Sequence, residues 1–266
     1  MRPTIIFLAC LVGQLLALDR SLDRRYCTST ICGSSNTACM NNGTLIYCTL
    51  KGPRLLDMTR FIVPLSNMFN SLRNDVAGGK YRSLPQAARM AKISWSNELA
   101  WFAHLDVVLC RKTTHLCHTS PYFYYIGVLT EEVFKSFDED PESDFNIMSQ
   151  VVRYWTNGIH HIERKHLLHL PDRFETEAQF RAALLLNERN THFGCAVIYF
   201  KNNEHFIFTC AFATANIVGR PVYKWGLKPG NKCHKRDRKF KNLCASGEKY
   251  SNHRRQDSAE VMDEDF

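Results

Sequence analysis

Eleven cysteines in 266 residues constrain this chain more than any other feature. In an oxidising compartment they pair, and each pair closes a loop that the fold must accommodate. In a reducing compartment they would be thiols or metal ligands. The first residues indicate which applies. Arg2 gives a short positive start, Ile5-Ile6-Phe7-Leu8-Ala9-Cys10-Leu11-Val12 is apolar, and Gln14-Leu15-Leu16-Ala17 leads to a small residue before Asp19 and Arg20. Residues 1–17 thus read as a secretory signal peptide. A membrane span needs about 20 apolar residues, and this run is shorter and holds Gln14. Cleavage after Ala17 removes Cys10 and Arg2, leaving ten cysteines and lowering the formal net charge from +8 to +7. An even number in a secreted chain implies up to five disulfides and no leftover thiol.

The remaining chain is 45% hydrophobic by whole-sequence composition, enough for a packed core and too apolar for a disordered protein. Tyr26 to Cys48 carries Cys27, Cys32, Cys39 and Cys48 among Gly, Ser, Asn and Thr, a loop-rich segment. The spacings do not form paired C-x-x-C zinc knuckles. Asn42-Gly43-Thr44 is the one N-glycosylation sequon and sits among turn formers. Leu55 to Leu72 has a helical stripe through Met58, Phe61, Ile62, Leu65, Met68, Phe69 and Leu72, with Asp57 as a possible cap and Pro64 marking a kink or a start. Ser94 or Ser96 opens a second helix with Trp95, Leu99, Phe102, Ala103 and Val107 on its apolar face. Pro121 to Val128 is aromatic and strand-like or irregular, and Phe137 to Asp144 reads as an acidic loop around Pro141. Phe145 to Asn157 is helical, and Thr176 with Gln179 forms a capping box opening another helix.

His192 to Phe200 and His205 to Ala213 are the clearest strands, joined by a four-residue turn over Lys201-Asn202-Asn203-Glu204. A turn that pairs Phe200 with His205 also sets Cys195 opposite Cys210, within disulfide reach. Further on, Cys233 and Cys244 enclose a basic run, and the polar tail after Cys244 is expected to be disordered.

Six stretches carry a family resemblance. They are Arg73-Asn74-Asp75-Val76-Ala77-Gly78-Gly79, Met90 to Ala100, Thr191-His192-Phe193-Gly194-Cys195-Ala196, Phe208 to Gly219, Pro221-Val222-Tyr223 and Lys241-Asn242-Leu243-Cys244. Their order resembles the CAP superfamily of cysteine-rich secretory, antigen-five and pathogenesis-related proteins, nearest its insect antigen-five-like branch. The resemblance covers Tyr26 to Cys244 and implies an α+β fold, a three-layer α-β-α sandwich. It implies the pairs Cys27–Cys39, Cys32–Cys117, Cys48–Cys110, Cys195–Cys210 and Cys233–Cys244. The chain then divides into a signal peptide (1–17), a cysteine-rich segment (18–54), the CAP domain (55–225), a basic disulfide-closed extension (226–244) and a tail (245–266).

Many CAP proteins hold two His and two Glu around a cleft able to bind a divalent cation. Carried over position by position, those four places fall on Thr114, Val128, Gly158 and the His-less stretch around Phe180, with His115 one residue off. Several converging donors are needed for a cation, so no metal, cofactor or catalytic residue is expected. His160, His161, His166 and His169 cluster locally but lack an H-E-x-x-H pattern. Lys232, Lys235, Arg236, Arg238, Lys239 and Lys241 surround Asp237 and form a candidate anion-binding surface for sulfated glycans or lipid headgroups. The reading is a secreted, monomeric, non-enzymatic CAP protein whose partner is an extracellular protein, glycan or lipid, and not nucleic acid. The alternatives are a secreted metal-dependent hydrolase using displaced histidines, or an extracellular matrix component.

Overall fold

The computed structural model describes residues 24–45, 48, 52–113, 116–134, 141–200 and 205–250. Its centre is an antiparallel hairpin. Strands β4 (His192–Phe200) and β5 (His205–Phe212) pair with Phe200 opposite His205 and Cys195 opposite Cys210. The turn expected at 201–204 lies outside the described residues. On the far side of β5 runs β3 (Gly127–Phe134), in register from Gly127↔Phe212 to Phe134↔His205. On the far side of β4 lie β1 (Pro53–Leu55), antiparallel, and the two-residue β2 (Ser94–Trp95), parallel.

Period-two alternation along these strands builds two cores. One face sends Phe193, Cys195, Val197, Phe206, Phe208, Cys210, Phe212 and Leu129 against α1 (Ile62–Ala77), α3 (Pro141–Thr156) and α5 (Glu177–Leu186). The other sends Ala196, Ile198, Phe200, Ile207 and Ala211 against α2 (Asn97–Val107) and the cysteine-rich segment, represented by Tyr26 and Ala38. Helices therefore cover both faces of the sheet, which is the α-β-α sandwich. Cys27–Cys39 closes the N-terminal segment on itself, and Cys32–Cys117 and Cys48–Cys110 tie it to the end of α2 and the loop beyond it. Buried His118 meets buried Asp106 of α2 at 2.8 Å in the same region.

Local chemistry sets the helix ends. Ser96 accepts from the Leu99 N–H and caps α2, so Ser94 and Trp95 are left to β2. Thr176 and Gln179 form the reciprocal capping box of α5. Pro64 lies in the first turn of α1, which starts at Ile62, and its missing N–H there removes no intrahelical bond. Asp57 does not cap α1. It accepts from the Thr59 N–H and hydroxyl in the preceding 3-10 turn, and those bonds hold its carboxyl below the usual range.

Two expectations are corrected, and one strand is added. The aromatic run is irregular up to Ile126 and leads into the full strand β3, because β5 offers an unbroken ladder to it. Of the acidic loop expected over 137–144, residues 137–140 lie outside the described residues and 141–144 form the first turn of α3, where a proline is tolerated. The chain also stays packed past Cys244. Tyr250 is buried and donates to the Arg89 carbonyl, while Arg89 pairs with Glu248 at 2.8 Å. Residues 251–266 lie outside the described residues.

A buried cation locks the layers. Arg73 of α1 donates to the carbonyls of Ala91, Leu185 and Asn187 at 3.0, 2.7 and 2.9 Å. Burial pulls its guanidinium down to about 10, partly opposed by Tyr250 and Glu188, so it stays charged at neutral pH.

Candidate functional site

The four places to which the family resemblance carries the metal ligands lie on different elements of the fold. Thr114 and His115 lie outside the described residues. Val128 on β3 is partly buried and packs against the core beside α2. Gly158 sits in a 3-10 turn, Asn157–His161, that follows α3 directly. It is buried against the start of α5, and a Cβ there would overlap the Ala178 carbonyl and stand 2.7 Å from the Gln179 nitrogen. Phe180 is partly exposed, with its ring edge toward Phe174 at 6.1 Å. Beside it, Gln179 is buried and its Nε2 donates to the His161 carbonyl at 2.9 Å, which fastens the turn to α5.

The local histidines do not converge. His160 faces the Tyr81 ring at 5.6 Å. His166 is buried in α4 (Arg164–Leu168), a short helix. Its Nδ1 accepts from the Glu163 N–H at 3.2 Å, closing a capping box. His169 lies 3.2 Å from the Gly219 carbonyl through Nδ1. Among the described residues, no three His, Cys, Asp or Glu side chains are grouped to hold a metal ion. His160, His161, Glu163, Arg164 and Glu175 line one surface depression. Trp95, Glu98, Tyr122, Phe123 and His192 line a second. Sequence reasoning missed the second, although the aromatic run from Tyr122 was its visible signal.

The ten cysteines of the described chain are all disulfide-bonded, including Cys195–Cys210 across the hairpin with Cα atoms 4.0 Å apart and Cys233–Cys244 near the C-terminus. The structure thus supplies no thiolate nucleophile among the described residues.

The basic run is a fixed surface. Phe240 and Leu243 are buried with Val76 and Ala77 at the end of α1. Asn242 donates through its N–H and Nδ2 to Asn74, each at 3.0 Å. Asp237 turns inward. Its Oδ1 accepts from the N–H groups of Lys239 and Phe240, and its Oδ2 meets Lys92 Nζ at 2.9 Å. Burial would raise this carboxyl, but those donors together outweigh it and hold it below the ordinary value. Lys232, Lys235, Arg236, Arg238, Lys239 and Lys241 are left exposed around it. Lys239 also reaches Asn67 Oδ1 at 2.7 Å. Asn42 is exposed and its Oδ1 accepts from the Thr44 N–H at 3.1 Å.

Comparison with known proteins agrees with this architecture. The family described as CAP, the cysteine-rich secretory protein family, matches residues 66–212. Tabinhibitin 6 of Tabanus yao is 29% identical over 247 residues, covering 91% of this chain and 94% of the relative. Tabinhibitin 1 and Tablysin 15 of the same organism are 32% and 31% identical over 181 residues, each covering 67% of this chain and 69% of the relative. Among solved structures, BmVAL-1 superimposes with a TM-score of 0.58 at 17% identity, covering 74% of this chain and 98% of that one. NaASP2 with Zn2+ gives 0.53 at 21%, covering 67% and 91%. At these identities the likeness speaks for the fold alone. No helix among the described residues is long and apolar enough to cross a membrane. With the sandwich, the disulfide framework and these matches together, the chain belongs to the CAP superfamily, in its antigen-five-like branch.

Proposed function

We propose that this chain is a secreted CAP protein that works by binding another extracellular molecule and performs no catalysis. The observation that carries this is Gly158. A family member with a metal cleft needs a carboxylate there, and here the α5 backbone occupies the space that even a methyl group would need. Val128 has no donor atom, and the Phe180 region offers no imidazole. Family relatives named as inhibitors fit a binding role, and the partner is an extracellular protein, a glycan or a lipid surface. Asn42, exposed in its turn, carries an N-glycan in this reading, and Asn42→Gln removes the endoglycosidase-sensitive mobility shift.

Calorimetric titration of zinc into the purified protein tests the central part. The expected result is no stoichiometric binding. A tight one-to-one site that His115→Ala or His166→Ala abolishes would overturn it and favour a metal-dependent hydrolase.

A further inference from the structure

The segment before the last disulfide contains the most exposed large apolar side chain in the described structure. Leu227 is 95% exposed, and Trp225, two residues earlier, is 39% exposed. A single exposed leucine needs no explanation. This one differs in where it is held and in what surrounds it.

The loop that carries it is rigid at its base. Ala88 donates to the Lys224 carbonyl at 2.7 Å, Gly226 to the Gln86 carbonyl at 3.0 Å, Gly230 to Ala87 at 2.9 Å and Lys232 to Ala88 at 3.0 Å. Ala87 and Ala88 are fully buried, so the loop is pinned to the core on both sides of its tip. It closes on itself through the Asn231 N–H, which donates to the Lys228 carbonyl at 3.3 Å. Gly226 lies so near the Asn231 side chain that no Cβ fits between them. Gly230 has φ +63° and lies beside the Arg236 stem, where a Cβ would be 3.0 Å from Cδ. The loop tip and the Cys233–Cys244 loop therefore lie side by side.

Charge completes the surface. Lys228, Lys232, Lys235 and Arg236 are exposed, and among the described residues none of them forms an ion pair. The nearby acids are turned away. Asp237 is held by Lys92, and Glu248 is buried against Arg89 and the His234 N–H. A protruding leucine, an adjacent tryptophan and a set of cations on a stiff base match the interface of an anionic bilayer. The leucine enters the acyl boundary, the indole sits at headgroup depth and the ammonium groups meet phosphates. A sulfated glycan would engage the cations but gives Leu227 no apolar phase to enter.

We propose that the Trp225–Arg236 loops form a docking surface for anionic phospholipid bilayers, with Leu227 as the inserting residue. This rests on the binding role above and names its partner, and it is independent of whether the family cleft is closed.

The test is sedimentation of the full secreted chain with vesicles of phosphatidylcholine, with and without phosphatidylserine, and with heparin as a separate arm. Binding is expected only to the phosphatidylserine vesicles. It should weaken with salt and come with a blue shift of indole emission that Trp225→Phe removes. Leu227→Asp should lower the partition constant at least about ten-fold. Lys228→Gln, Lys232→Gln and Lys235→Gln together should lower it about a hundred-fold, roughly five-fold per cation. All four side chains are exposed, so unchanged melting of the variants confirms intact folding. Absence of vesicle binding overturns the proposal. So does vesicle binding that Leu227→Asp leaves unaltered, or heparin binding without vesicle binding.

Discussion

Replacing Gly158 by alanine puts a Cβ into the carbonyl of Ala178 and 2.7 Å from the Gln179 nitrogen. The clash is with backbone, so no rotamer change relieves it. Either the 3-10 turn or the first turn of α5 must move. The turn is fastened by Gln179 Nε2 to the His161 carbonyl, and α5 by its capping box, so moving either breaks hydrogen bonds that already exist. Overpacking of this kind costs about 1–3 kcal/mol, and a backbone neighbour places it at the upper end. For a domain of this size that is roughly 6–12 °C in melting temperature. Calorimetric melts of wild type, Gly158→Ala and Gly158→Glu, all with disulfides intact, measure it. Phe180→His is the control. It changes a partly exposed side chain and should stay within about 0.5 kcal/mol. If Gly158→Glu melts with the wild type and gains a zinc site, the claim that the cleft is filled by α5 is wrong.

Other perturbations read separate parts of the fold. Arg73→Leu strands the carbonyls of Ala91, Leu185 and Asn187 and should cost at least about 3 kcal/mol in chemical unfolding, with Arg73→Lys recovering only part, since one ammonium cannot replace the guanidinium fork. Removing the Cys195–Cys210 bridge, which spans 15 residues, by a double alanine substitution should cost about 3 kcal/mol, and an unchanged melt would show the hairpin does not depend on it. Burial lowers the His104 imidazole below its ordinary 6.5, with the Gly43 carbonyl opposing in part. The unfolded chain therefore takes up that proton first, so stability is full above pH 6.5 and falls as pH drops below it. The wild-type denaturation midpoint should fall more on acidification than that of His104→Gln.

Much of the fold was legible where local and long-range signals agree. The 192–213 hairpin carried alternation, a turn and a cysteine pair that all demanded one register. Thr176 and Gln179 named a helix start by the hydrogen bonds they can make. β3 was hidden because Glu131 and Glu132 interrupt its alternation, and only the ladder offered by β5 makes it a strand. The start of α3 was hidden because Pro141 and the acids after it suit both a loop and a first helical turn. At the site, the family resemblance already sets Val128, Gly158 and the Phe180 stretch at the places where carboxylate and imidazole ligands are expected. That Gly158 is also sterically closed could not be read there, because it depends on where α5 lies in space. The anchoring of the basic loop was equally invisible, since Asn74 and Lys92 are far from it in sequence.

Anomalous diffraction at the zinc edge, from crystals of the purified protein grown in excess zinc, tests the proposal that the family's metal centre is missing here. No peak is expected beside Val128, Gly158 or residues 114–115. A full-occupancy peak there, ligated by His115 or by one of the neighbouring histidines, would contradict it.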